Sequence, residues 1–89
     1  MKRNKDFELC ADFGLADRIR KITTGYDKDT LQKIHAAFDK YLKFGVMPFT
    51  PNIVGIFAEV YNPKQSKEAN AHNIEVARDT LFSIMDDMN

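Results

Sequence analysis

Three side chains in this 89-residue sequence have the chemistry of a nucleophile, a general base or a soft metal ligand: Cys10, His35 and His72. A thiol beside an imidazole is the pattern of cysteine catalysis, in which the histidine takes the proton and leaves a nucleophilic thiolate. Three such groups, none in a close pair, fall short of the four ligands that a structural zinc site uses. Cys10 falls on an apolar face, as a small buried hydrophobe does. His35 flanks the apolar stripe that contains Ile34, and His72 lies early in a later helical pattern, so both read as boundary histidines. The carboxylate pairs Asp27/Asp29 and Asp86/Asp87 stand at expected helix ends. Gly14, Gly25, Gly45 and Gly55 are each isolated, so no glycine-rich phosphate loop exists. These residues predict no catalytic, metal or cofactor site, and a protein that is not an enzyme.

A second constellation concerns nucleic acid. The run Glu8 to Ile22 places Cys10 in a first helix, Gly14 four positions later and Leu15 just after it. This spacing resembles the helix-turn-helix of phage-repressor-type regulators. The resemblance covers about fifteen residues and implies a helical DNA-binding fold, with Arg18, Arg20 and Lys21 on the second helix where base and phosphate contacts are made. The sequence departs from the pattern at two points. Arg20 stands where an apolar anchor is expected, with Ile19 one position early, and no helix fits before Glu8. The competing expectation is one amphipathic helix, bent or broken at Gly14, with a solvated basic end.

A third constellation is the connection Phe44-Gly45-Val46-Met47-Pro48-Phe49, six residues with no charge and no hydrogen-bonding side chain. Connections usually run over the surface and are polar. Either Phe44, Val46, Met47 and Phe49 plug the end of a helical core, or they form an exposed apolar patch that docks a protein, with the acidic C-terminal half as its rim.

The elements that must position these groups are helices. Leu31, Ile34, Phe38, Tyr41 and Leu42 recur at helical spacing over 29–44, with Asp27 or Asp29 as a cap and Gly45 as a stop. Thr50-Pro51 is a helix entry, and Phe49 with Val54 has the spacing of a hydrophobic staple. A buried helix over 51–61 follows, ended by Asn62-Pro63; a strand over Ile53–Phe57 is the alternative. Ser66 and Glu68 open a helix over 66–87 carrying Ile74, Ala77, Leu81, Ile84 and Met85, with Asp86 and Asp87 opposing its dipole. Phe7, Ala11, Leu15, Ile19 and Ile22 mark a first segment over 6–22, either one helix or two short ones meeting at Gly14. The expected fold is all-α, a compact bundle of about four helices forming a single domain over 1–89.

Composition narrows the function. Thirteen basic and thirteen acidic residues cancel, which disfavours a purely electrostatic nucleic-acid binder. Residues 1–44 hold ten Lys/Arg against seven Asp/Glu, and residues 45–89 hold three against six. A single cysteine predicts no internal disulfide and a reducing, cytoplasmic setting. No apolar run approaches the roughly 20 residues of a membrane span. The sequence therefore predicts a small intracellular interaction module that binds a protein partner or itself. A degenerate helix-turn-helix regulator is the alternative.

Overall fold

The computed structural model of the chain describes residues 14–88. Four helices form, and no strand occurs among the described residues: α1 over 14–22, α2 over Lys28–Phe44, α3 over Pro51–Phe57 and α4 over Lys67–Asp87. The part of the first segment before Gly14, including Phe7, Cys10 and Ala11, lies outside the described residues.

Local chemistry explains most of the boundaries. The Asp27 carboxylate accepts from the Thr30 N–H at 2.8 Å, so α2 starts one residue before the expected Asp29. Hydrogen bonding from the Thr30 side chain, and then from its N–H, holds the Asp27 carboxyl below its ordinary range. Asp29 instead pairs with Lys33 along the helix surface at 3.3 Å. Gly45 adopts φ 71°, the left-handed conformation that glycine tolerates best, and its N–H closes on the Tyr41 carbonyl at 2.8 Å. Ser66 caps α4 by accepting from the Ala69 N–H at 3.1 Å. Thr50 and Pro51 open α3 at the expected place, although the Thr50 side chain makes no capping hydrogen bond.

α3 is shorter than the expected 51–61. After Phe57 the backbone tightens to three-residue hydrogen bonds, Glu59 to Ile56 and Val60 to Phe57, both at 3.1 Å. This tightening turns Val60 into the core and brings Tyr61 against Phe57. At seven residues α3 is too short to be stable alone, so burial of Ile56 and Phe57 must hold it.

The core is one cluster drawn from all four helices and the turn after α3: Ile19, Leu31, Ile34, Phe38, Ile56, Phe57, Val60, Ile74, Ala77, Leu81 and Met85. Of the expected stripe positions, Leu15, Ile22, Tyr41, Leu42 and Ile84 are half-buried, packed on the edge of this cluster. α2 and α4 pack antiparallel, because Tyr41–Gly45 face Lys67–Ala71 while Lys28–His35 face Phe82–Asp86. Across this pair the half-buried Arg78 reaches Asp39 at 3.0 Å. Phe38 is fully buried where α2, α3 and α4 meet, and its ring meets Phe57 edge-on at 5.7 Å. Phe38→Ala is expected to cost about 3–5 kcal/mol in urea unfolding; a loss below about 1 kcal/mol would place the ring outside the core.

Candidate interaction surface

The connection from α2 to α3 is extended and lies outside the core. Met47 and Thr50 each precede a proline, which biases both towards extended backbone, and Thr50 has φ −75° and ψ 126°. Phe44 is 73% exposed, Val46 41%, Met47 46% and Phe49 88%. The four residues singled out from sequence thus face solvent together, and none plugs the end of the bundle. Phe49 stands too far into solvent to staple α3, and Val54 is itself exposed.

Packing at this end of the molecule gives the reason. Phe57 stacks on Tyr61 at 5.0 Å and meets Tyr41 edge-on at 5.2 Å, and Tyr41 meets Tyr61 at 6.0 Å. With Phe38 these rings fill the space under the connection. Burial, and secondarily the neighbouring Tyr61, raises the Tyr41 hydroxyl above its ordinary value of 10.0.

Two grooves flank Met47. The larger, about 640 Å³, runs between the end of α2, the connection and the start of α4; Tyr41, Leu42, Phe44, Met47 and Tyr61 give it an apolar floor. The smaller, about 80 Å³, lies on the other side, where Val46, Met47, Pro48 and Phe49 face Ala37 and Ile53. Met47 forms the ridge between them. The far wall of the larger groove is fixed by Asn70, a buried residue that sequence reasoning passed over. Its Oδ1 accepts from the Asn62 N–H at 2.9 Å, and its Nδ2 donates to the Asn62 carbonyl at 2.8 Å. Both backbone groups of Asn62 are satisfied by one side chain, and the Asn62 Oδ1 in turn accepts from the Lys64 N–H at 2.9 Å. The rim is basic, from Lys40, Lys43 and Lys67, rather than acidic as the C-terminal charge balance led one to expect.

The other sequence candidates are dispersed. Arg18 pairs with Glu59 of the α3–α4 turn, Arg20 donates to Ser83 Oγ at 3.3 Å, and Lys21 pairs with Asp17 at 3.1 Å. Gly14, which the helix-turn-helix pattern puts in a turn, is helical, and the fully buried Ile19 anchors α1 one position before Arg20. His35 is half-buried beside Phe82, with ring centroids 6.2 Å apart, and His72 is exposed on α4. Cys10 lies outside the described residues. Among the described residues no three His, Cys, Asp or Glu side chains converge as a metal site would require. The chain matches no protein-family model, no curated protein and no solved structure.

The contrast between the connection and the packing beneath it can be measured. Phe49→Ser is expected to change unfolding free energy by less than about 0.5 kcal/mol, while Phe57→Ala costs about 3–5 kcal/mol. Similar losses for the two variants would mean that the connection is part of the core.

Proposed function

We propose that this chain is a small helical interaction module. It acts in the cytoplasm by binding a protein partner or its own copy, as an adaptor, inhibitor or regulatory subunit, and not by catalysis. The observation that carries the reading is the joint exposure of Phe44, Val46, Met47 and Phe49 on one connection beside an apolar groove. Scattered single apolar residues are common on protein surfaces, but a contiguous set of two phenylalanines, a methionine and a valine is the signature of a surface covered in use. Phenylalanine and methionine are favoured in interface centres, methionine because it adapts to the shape it meets. Grooves on both sides of Met47 offer partner side chains places to insert.

Two further features support the setting. One cysteine in the sequence suits a reducing compartment, and no helix among the described residues is long and apolar enough to cross a membrane. The DNA-binding alternative is supported less well, because Arg18, Arg20 and Lys21 are already engaged within the chain.

Met47→Asp places a charge on the ridge without touching the core. The variant should keep the helical circular dichroism and melting temperature of the wild type. It should also lose the proteins that immobilised wild type retains from a lysate of its source, its own copy included. Retention of the same set by both proteins would remove residues 44–49 from the interface. A variant that unfolds would place Met47 inside, since burying an unpaired carboxylate is strongly destabilising.

A further inference from the structure

The surface around residues 44–49 is charged as well as apolar. Lys43 and Lys67 line the larger groove and Lys40 the smaller, and no described residue lining either groove is acidic. Lys43 shares the Asp39 carboxylate with Arg78, and these contacts hold the Asp39 carboxyl below its ordinary range. Lys40 and Lys67 form no ion pair with any described residue. An occupant that brings both apolar side chains and carboxylates is complementary to this surface.

That combination is present on α4. Glu68, His72, Glu75, Asp79, Phe82 and Asp86 follow at alternating steps of four and three residues, so they share one helix face, and all six are exposed. Glu68, Glu75 and Asp86 form no ion pair with any described residue, and Asp79 accepts from Arg78 Nε and Nη2, each at 3.4 Å. Among the described residues the stripe brings like charges together. Glu75 and Asp79 repel across one turn, and Asp86 sits in a last turn without a basic residue, at the negative end of the helix dipole. Phe82, on the same stripe, is 61% exposed beside a groove of about 320 Å³ lined by His35, Met85 and Asp86, with Lys28 on its α2 side. The α1 flank of this end is basic, where Arg20 reaches Ser83; the outward stripe is acidic.

The two surfaces cannot meet within one chain. The Met47 grooves adjoin the end of α2, and Phe82 and Asp86 adjoin its start, roughly 20 Å away at 1.5 Å per residue. We infer that they meet between copies: the Phe82–Asp86 end of α4 in one copy docks on the Met47 groove of another. Phe82 enters the apolar floor while Asp79 and Asp86 face Lys40 and Lys67. The inference rests on the reading of residues 44–49 as a docking surface and names its occupant as a second copy of this chain. Aromatic and methionine contacts supply the affinity, and the charges set orientation and rate of encounter. Such a contact joins two different patches, so it extends head to tail or closes into a ring.

Sedimentation velocity of the full chain tests this over about 5 µM to about 500 µM, the range of modest affinities. Mean mass should rise with concentration and fall as sodium chloride goes from about 50 mM to about 500 mM, because the charge pairs are exposed. Met47→Asp and Phe82→Lys should each remain helical and monomeric, and their equimolar mixture should form a dimer, since it contains one intact groove and one intact α4 end. Asp86→Lys supplies the same arm as Phe82→Lys at a solvated position, so a folding defect at Phe82 does not decide the outcome. Wild type that stays monomeric throughout overturns the inference and leaves the docking reading to the lysate comparison. Association lost in Met47→Asp but kept in both α4 variants overturns α4 as the occupant and upholds the docking surface. Association kept in all three variants overturns both, and a mixture that stays monomeric overturns the head-to-tail contact.

Discussion

The structure depends on how Phe57 is seated. A helix of seven residues has too few internal hydrogen bonds to hold its own shape, so α3 exists because Ile56, Phe57 and Val60 are buried. Phe57 contacts Phe38, Tyr41 and Tyr61 at once, joining α2 to the turn that leads into α4. One ring therefore completes the core and occupies the space into which Phe44, Met47 or Phe49 would otherwise fold. The apolar connection lies outside because the interior below it is already full. In a small domain there is little other buried volume to receive it.

The same constraint shapes the surface that results. Gly45 stops α2 and two prolines keep the connection extended, so its side chains project on both sides of the Met47 ridge. Asn70 fixes the opposite wall by satisfying both backbone groups of Asn62 from inside the core edge. Neither device is needed to bury apolar area; both hold the groove open in a defined shape. A preorganised groove loses less conformational entropy on binding than a mobile loop does. Function in this reading is therefore a consequence of what the core leaves out.

Much of the architecture was legible in the sequence, because it is written in local signals. Asp27, Gly45, Pro51 and Ser66 mark helix ends by chemistry that acts within a few residues, and Leu31, Ile34 and Phe38 reveal a face by spacing alone. The end of α3 was less legible: Asn62-Pro63 is the visible stop, but the helix tightens at Phe57 because tertiary contacts pull Val60 and Tyr61 inward. Asn70 was missed although it falls on the Asn70, Ile74, Ala77, Leu81 stripe, where a polar residue at a core position is itself the signal. The patch residues were identifiable from composition, but whether they faced in or out was not. That depends on which ring fills the bundle end, which no local pattern encodes. The sign of the rim was misjudged for a related reason. Charge summed over half the chain says little about which side chains the antiparallel packing of α2 and α4 brings to one end.

The central claim is that Phe57 and its neighbours fill the bundle end and leave Met47 outside. Methyl NMR with a soluble paramagnetic agent tests it directly, since the methionine methyls report their own exposure. In dilute, monomeric protein the Met47 methyl should broaden as strongly as that of the exposed Met88, while the buried Met85 is spared. A Met47 methyl as protected as that of Met85 would contradict the account, because the connection would then be part of the core.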